Sequence, residues 1–182
     1  MKILIVDDNP DDQLLARTFL SQDGYPGIDT VDSAEAAFAI LELDNEGNPA
    51  FDLILLDISL PGTDGIEATR TIKASNKYAE IPVIMMTAHS PQDYLARAFR
   101  AGAMDFISKP FNKIEFLARV NAAIRLKREM DRRRAHEKEL VEMTIKLARA
   151  NEELKKISMI DPLTDIPNRR HFDAVLEIEF NR

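Results

Sequence analysis

Short apolar runs alternate with helical patterns along the first 124 residues. Five of these runs predict β-strands, and they are Ile3–Val6, Ile28–Val31, Leu53–Leu56, Val83–Met86 and Phe106–Ile107. Most of the runs are continuously apolar, which is typical of strands covered on both faces. Between strands, apolar residues recur at the spacing of one helix face, as at Ala34, Ala37, Phe38 and Leu41. The pattern predicts alternating strands and helices.

This alternation predicts an α/β fold, a doubly wound five-stranded parallel sheet with helices on both faces. The common strand order 2-1-3-4-5 would make it flavodoxin-like, with a long C-terminal helical extension. Asp64, Ser90 and Asn112 mark helix starts, because each is a capping residue with an acid three positions later.

A single long helix is predicted after Asn112, because no convincing breaker follows until Pro162. It would contain about 45 residues, and its first turns are expected to pack on the sheet. The inward-facing residues would be Ile114, Leu117, Val120 and Ile124. We therefore expect a domain at 1–124, a helical stalk at 125–160, and at 161–182 the start of a domain too short to bury its own core.

Charge is distributed unevenly along the chain. The net charge is −9 in residues 1–124, +4 in 125–160 and −2 in 161–182. An acidic first domain argues against nucleic acid binding there. The chain contains no cysteine, which excludes a disulfide framework and a cysteine nucleophile. Its N-terminal apolar run spans only four residues, so we expect a cytoplasmic protein without a membrane segment.

Acidic side chains are predicted to meet at one edge of the sheet. Asp7 and Asp8 follow the first strand, and Asp57 ends the third. In the order 2-1-3-4-5 these strands are neighbours, and ligands of such sheets bind beyond their carboxyl ends. Carboxylates this close raise one another's pKa unless a cation is present. An all-oxygen site with high negative charge favours Mg²⁺.

Two further residues end strands at the same edge, Thr87 at the fourth and Lys109 at the fifth. A hydroxyl and an ammonium beside a metal-bound carboxylate suit a phosphoryl group that forms when Asp57 attacks in line. Taken singly, each residue has a plainer explanation, with Asp7 and Asp8 as helix caps and Lys109 as a surface cation. Their combination at matching strand ends favours phosphoryl transfer.

Residues 1–124 also resemble the receiver domain of two-component response regulators. The matching residues are Asp7-Asp8, Asp52 to Asp57, Leu60-Pro61-Gly62, Asp64-Gly65, Thr87-Ala88, Ala101-Gly102-Ala103 and Lys109-Pro110-Phe111. The resemblance implies that Asp57 is the phosphoacceptor. It implies a sensor histidine kinase or a phosphotransfer protein as the donor.

The resemblance assigns further roles residue by residue. It implies that Asp8 binds Mg²⁺ directly, that Asp7 acts largely through water, and that the backbone carbonyl of Ser59 completes the metal shell. Lys109 would pair with the acyl phosphate, and its bond to Pro110 would be cis.

A conformational switch is implied as well. Thr87 would move toward the phosphoryl group, and Phe106 would turn into the space that it leaves. Phe106 is equally explained as a core residue of a short strand. Ser59 and His89 occupy positions that vary in the family and flank the attacking water, so we hypothesise that His89 tunes the phosphoryl lifetime. An exposed loop histidine is the alternative.

The stalk carries a seven-residue repeat. One row consists of Leu126, Arg133, Leu140, Leu147 and Leu154. The other row would be Met130, Glu137, Thr144, Asn151 and Ser158. One mostly leucine row and one mostly polar row permit a weak parallel two-stranded coiled coil. Since half of the residues in 125–160 are charged, a solvated single helix is the alternative, and we favour a homodimer.

The last segment begins with Asp161-Pro-Leu-Thr-Asp-Ile-Pro-Asn-Arg-Arg170. This resembles the opening of GGDEF domains, which make cyclic di-GMP from two GTP molecules, although Asp165 and Ile166 depart from the usual Gly-Leu. The GG(D/E)EF signature would lie beyond residue 182. We therefore expect this chain to lack cyclase activity and its parent protein to be a diguanylate cyclase.

The sequence thus predicts a receiver that is phosphorylated on Asp57 with Mg²⁺ and controls a diguanylate cyclase output domain through a dimeric stalk. One alternative is a degenerate output domain that works only by docking. Another is a phosphorelay intermediate that returns phosphate to a histidine. DNA binding is not expected, because acids surround Arg132–Arg134 and no helix-turn-helix fits before Pro162.

Overall fold

The computed structural model describes residues 1–43, 49–88, 92–158, 161, 164 and 166–181. The chain divides into two compact units, Met1–Met130 and Asp131–Arg182. Among the described helices, none combines the length and the hydropathy needed to cross a bilayer.

The first unit is built on a five-stranded parallel sheet. Its strands are β1 (Lys2–Val6), β2 (Gly27–Val31), β3 (Leu53–Asp57), β4 (Val83–Thr87) and β5 (Asp105–Ser108). Their order is β2-β1-β3-β4-β5, and every neighbouring pair is parallel. The predicted fold class and strand order are confirmed. Each strand extends one or more residues beyond its apolar run, because hydrogen bonding to a neighbour continues into the flanking polar residues.

The described residues form six helices. They are α1 (Pro10–Gln22), α2 (Ala34–Leu41), α3 (Gly65–Ala74), α4 (Gln92–Ala101), α5 (Lys113–Ser158) and α6 (Arg169–Phe180). The predicted cap at Asp64 is confirmed, since its carboxylate accepts from the backbone N–H of Glu67 at 2.8 Å. The side chain of Asn112 likewise accepts from the N–H of Glu115 at 3.2 Å. Ser90 lies outside the described residues.

Apolar side chains fill a core on each face of the sheet. Leu4 and Val6 of β1 pack with α2, α3 and α4 in one core, whereas Ile3 and Ile5 pack with α1 and α5 in the other. Successive side chains of a strand point to opposite faces, so a continuous apolar run supplies both cores. This arrangement explains why the strands read as unbroken apolar segments, and it leaves the strand ends for polar chemistry.

The packing face of α5 differs in part from the predicted one. Val120 and Ile124 are buried as expected, but Ile114 is 82% exposed, and the prediction that it faces inward is wrong. Phe116 is fully buried instead, with its ring 5.8 Å from that of Phe19 and 5.3 Å from that of Phe111. Ile114 precedes Phe116 by two positions, about 200° around the helix, so the two residues face opposite sides.

The second unit contains the later part of α5 and all of α6. Leu140, Leu147 and Leu154 are 63%, 70% and 64% exposed. Arg133 and Glu137 form an ion pair of 3.0 Å one helical turn apart. Before α6, the carboxylate of Asp161 accepts from the backbone N–H of Thr164 at 3.1 Å.

Candidate functional site

Three carboxylates lie together at the carboxyl edge of the sheet. Asp7 directly follows β1 and Asp57 is the last residue of β3, and these two strands pair with each other. One carboxylate oxygen from each of Asp7, Asp8 and Asp57 lies within 4.8 Å of the other two. Asp7 and Asp57 are buried and Asp8 is exposed. The predicted convergence of these side chains is observed.

Lys109 places its ammonium among these acids. Its Nζ lies 2.7 Å from Asp7 Oδ2, 3.0 Å from Asp12 Oδ2 and 3.4 Å from Asp57 Oδ2. The Lys109 backbone N–H donates to the carbonyl of Thr87 at 2.7 Å, which fixes its position beside β4. Its bond to Pro110 is cis, as predicted. An ammonium carries three N–H donors, so each carboxylate can face one of them.

Asp12 and Gln13 contribute to the site although the sequence did not single them out. Pro10 is the first residue of α1, so the first turn of the helix starts directly beside the acids that end β1. Asp12 on that turn reaches Lys109, and the side-chain amide of Gln13 donates to the backbone carbonyls of Asp7 and Val31. The sequence did contain a sign of this arrangement. Pro10 marks a helix start directly after the acids, so polar residues of the first helical turn lie near the same edge of the sheet.

Burial and charge shift the pKa values of the central groups. Burial raises the pKa of Asp57, and the neighbouring charges of Asp7 and Asp8 add to that rise, while Lys109 opposes it. Burial likewise raises the pKa of Asp7 against the lowering effect of Lys109. Burial alone would lower the pKa of Lys109, but the bonds to Asp7 and Asp12 and the attraction of Asp57 outweigh it and raise that pKa. When ionised, the carboxylates of Asp7, Asp8, Asp12 and Asp57 together carry more negative charge than the single ammonium of Lys109 neutralises.

The residues fit a hard divalent cation. Asp7 Oδ2 is fully buried and accepts no well-aligned hydrogen bond from the described residues, although Lys109 Nζ lies close to it. Besides its ion pair with Lys109, such a buried carboxylate oxygen can accept a hydrogen bond from a metal-bound water. The three carboxylates offer oxygen ligands only, and oxygen ligands are those that Mg²⁺ prefers.

The loop after β3 is held at both ends. The backbone N–H of Ile58 donates to the carbonyl of Met86 at 3.0 Å, and the N–H of Gly65 donates to the carbonyl of Ile58 at 3.0 Å. From α2, the carboxylate of Glu35 accepts from the hydroxyl of Thr63 at 2.6 Å. Ser59 lies exposed in this loop, directly after the acidic edge. The use of its carbonyl as a metal ligand stays a prediction.

The two predicted switch residues lie on adjacent strands. Thr87 is buried at the end of β4, and Phe106 is half-buried on β5, opposite Met85. The Phe106 ring lies 6.4 Å from that of Phe99 and 5.3 Å from the guanidinium carbon of Arg119. The switch itself stays a prediction. His89, the predicted tuning residue, lies outside the described residues.

Comparison with known families agrees with this geometry. A profile of the family described as the response regulator receiver domain matches residues 3–121. The chain belongs to this family.

Curated response regulators resemble the chain over its receiver-sized part. It is 39% identical over 124 residues to the transcriptional regulatory protein ResD of Bacillus subtilis, covering 68% of this chain and 48% of ResD. It is 37% identical over 123 residues to the phosphate regulon transcriptional regulatory protein PhoB of Pseudomonas aeruginosa, covering 68% of this chain and 51% of PhoB. The chain thus spans about half the length of these curated relatives.

Solved receiver structures share the fold. A CheY-like receiver domain protein from Methanospirillum hungatei is 26% identical with a TM-score of 0.62, covering 71% of this chain and 97% of its own. The receiver domain of a sensor histidine kinase from Pseudomonas aeruginosa is 31% identical with a TM-score of 0.59, and the match covers 68% of this chain and 96% of that receiver. That structure has a magnesium ion coordinated in its active site cleft.

Proposed function

We propose that the receiver accepts a phosphoryl group on Asp57, with Mg²⁺ bound by Asp8, Asp57 and the Ser59 carbonyl and by Asp7 largely through water. One observation carries the proposal, namely three carboxylates within 4.8 Å of one another with Lys109 Nζ 3.4 Å from Asp57. The magnesium-bound receiver from Pseudomonas aeruginosa supports the choice of metal.

The proposed reaction is a transfer between a histidine and an aspartate. Bound at the acidic edge, Mg²⁺ would neutralise the carboxylates and the oxygens of the incoming phosphoryl group. An Asp57 oxygen attacks phosphorus in line, and the bond from phosphorus to the donor histidine nitrogen breaks with its electron pair kept by nitrogen. Lys109 and Thr87 then donate hydrogen bonds to the transferred oxygens. The donor is a sensor histidine kinase or a phosphotransfer protein.

Labelling with acetyl phosphate tests this proposal. With Mg²⁺ present, the wild-type protein is expected to take up one phosphoryl group, because Asp57 ends β3 beside the other metal ligands and lies 3.4 Å from Lys109 Nζ. Asp57→Asn is expected to remain unlabelled, as is the wild type in EDTA. Labelled protein is detected by intact mass.

Asp11→Asn is the matched control for this experiment. Asp11 is an exposed acid in the first turn of α1, and its substitution removes the same charge near the site. It is expected to label at the wild-type rate. Equal labelling of Asp57→Asn and wild type, or labelling without a divalent cation, contradicts the proposal.

We infer that the stalk forms a homodimer of two parallel helices. Leu140, Leu147 and Leu154 are exposed in a single chain, and Met143 and Ala150 are exposed as well. These five positions alternate in steps of three and four, which is the spacing of the apolar seam of a coiled coil. This seam is more apolar than one formed with Thr144 and Asn151, so it strengthens the inference from sequence.

Leu147→Glu is expected to convert the protein from a dimer to a monomer. It introduces one charge per chain at the centre of the apolar seam, where the two charges would face each other. Light scattering coupled to size exclusion measures the mass. Arg149→Glu introduces the same side chain two residues away, outside the seam, and is expected to remain dimeric. A wild-type monomer, with and without beryllofluoride and Mg²⁺, contradicts a dimeric stalk.

We propose a diguanylate cyclase output domain for the parent protein. The support is the stretch from Asp161 to Arg170, which resembles the opening of GGDEF domains. Asn168 caps α6 by accepting from the backbone N–H of His171 at 3.2 Å, and a turn at Asp161 precedes it. Phosphorylation of Asp57 would change how two receivers pack, and the stalk would transmit this to two GTP-bound domains.

A DNA-binding output is the second candidate. The names of the curated relatives favour it, because ResD and PhoB are described as transcriptional regulatory proteins. The two candidates make different predictions for the full-length protein. A cyclase converts GTP to cyclic di-GMP and does so faster with beryllofluoride, whereas a transcriptional regulator binds promoter DNA and leaves GTP unchanged.

A further inference from the structure

We propose that Asp12 competes with the phosphoryl group for Lys109. This competition weakens the binding of a phosphoryl group, or of a phosphoryl analogue, at Asp57. The inference rests on the proposed phosphorylation of Asp57. It assigns a positioning role, through Lys109, to an acid outside the predicted catalytic set.

The geometry gives Lys109 three carboxylate neighbours. Its Nζ is closer to Asp12 Oδ2, at 3.0 Å, than to Asp57 Oδ2, at 3.4 Å. The Asp12 side chain is 24% exposed, so the ion pair is partly shielded from solvent. The bond to Asp12 is also among the causes that raise the pKa of Lys109. In the unphosphorylated protein, the ammonium is thus shared among Asp7, Asp12 and Asp57.

Phosphorylation adds new acceptors for the N–H groups of this ammonium. Acyl phosphate formation on Asp57 adds negatively charged oxygens on the side of the cluster that Lys109 faces. Lys109 has only three N–H donors, and Asp7 and Asp12 already lie nearest to Nζ. The donor that faces Asp57 can turn to one phosphoryl oxygen, but a second bond to these oxygens requires the bond to Asp12 to weaken. The negative charge of Asp12 also repels the phosphoryl group directly.

Asp12→Asn isolates the charge of this residue. Asparagine keeps the shape and a carbonyl acceptor for Lys109, but it removes the negative charge. At saturating Mg²⁺, we expect the variant to bind beryllofluoride about fivefold more tightly than the wild type, the effect of one partly screened charge. Isothermal titration measures this affinity, and a separate titration measures the affinity for Mg²⁺ alone.

The direction of the two affinities separates charge competition from a structural role. Competition predicts tighter beryllofluoride binding together with equal or weaker Mg²⁺ binding, since one acid near the metal is lost. Loosening of the site would weaken both, and this outcome would overturn the proposal. Unchanged beryllofluoride affinity would overturn it as well.

Asp11→Asn is again the matched control, because Asp11 is in the same helical turn and has no described contact with Lys109. It is expected to keep the wild-type affinity, and an equal gain in both variants contradicts a specific role for Asp12. If the wild type with Mg²⁺ binds no beryllofluoride, the proposed phosphorylation of Asp57 itself fails. If the wild type binds and Asp12→Asn does not bind more tightly, only the role of Asp12 fails.

Discussion

Replacing Lys109 with methionine is expected to slow phosphorylation of Asp57 about a hundredfold and to destabilise the metal-free protein by about 3 kcal/mol. Methionine keeps the apolar stem but removes the ammonium that lies within 3.4 Å of Asp7, Asp12 and Asp57. The fully buried Asp7 carboxylate then has no described cation beside it. The transferred phosphoryl oxygens lose their positive partner as well.

The stability loss is expected to depend on pH in a defined direction. Burial already raises the pKa of Asp7, and the loss of Lys109 removes the cation that opposes this rise. At pH values between the pKa of Asp7 in the unfolded state and its higher pKa in the folded state, the folded protein binds more protons than the unfolded one. Stability therefore falls as pH rises through that range. The loss of unfolding free energy in Lys109→Met is therefore largest at neutral pH. It becomes smaller as the pH is lowered toward the pKa of Asp7 in the unfolded chain.

Urea unfolding in EDTA and in Mg²⁺ measures the free energies. Mg²⁺ is expected to restore part of the lost stability, because the cation replaces the missing charge. Lys113→Met is the control. Lys113 is an exposed cation at the start of α5, and its ammonium donates to the side chain of Gln22. The substitution is expected to change stability by less than about 0.5 kcal/mol. A Lys109→Met variant with wild-type stability and labelling rate contradicts the assigned role of the lysine.

The sequence predicted the sheet and the position of its acids for a simple reason. Continuous apolar runs determine which segments are buried strands, and the first polar residue after a run marks a carboxyl end. Asp7, Asp57 and Thr87 are such residues, and parallel strands place them all at one edge. The convergence therefore followed from local patterns and one assumption about strand order.

Other features depend on contacts between elements that local patterns do not contain. Asp12 meets Lys109 only because the long side chain of Lys109 extends from the end of β5 across the edge of the sheet to the first turn of α1. The inward face of α5 depends on how Phe116 fits between Phe19 and Phe111, and Ile114 has the same hydropathic character without that fit. Apolar character alone cannot distinguish these two positions, because the rotation of a helix on a sheet is set by packing.

Gly65→Ala is expected to destabilise the receiver by at least about 3 kcal/mol, near the upper end for overpacking. A Cβ at residue 65 would overlap the backbone oxygen of Asp57 and lie 2.9 Å from Cα of Ile58. Both contacts are with backbone, so no side-chain rotation relieves them, and either β3 or α3 must move. Thermal unfolding is expected to show a midpoint lower by about 10 °C.

The same substitution is expected to impair labelling of Asp57 at temperatures where the variant is still folded. The carbonyl that the new methyl group meets belongs to the phosphoacceptor itself, and Gly65 N–H bonds the carbonyl of Ile58 in the loop that leads to Ser59. Gly24→Asn is the control, because nothing lies within 4 Å of the added Cβ. The positive φ of 91° strains any side chain, and asparagine is among the residues most often found at positive φ, so a modest stability loss without an effect on the site is expected. It is expected to keep the wild-type labelling rate. A Gly65→Ala variant with the unfolding midpoint and the phosphorylation rate of the wild type would contradict this prediction. It would mean that β3 and α3 can move apart at Gly65 without loss of stability, and that their close approach does not position Asp57.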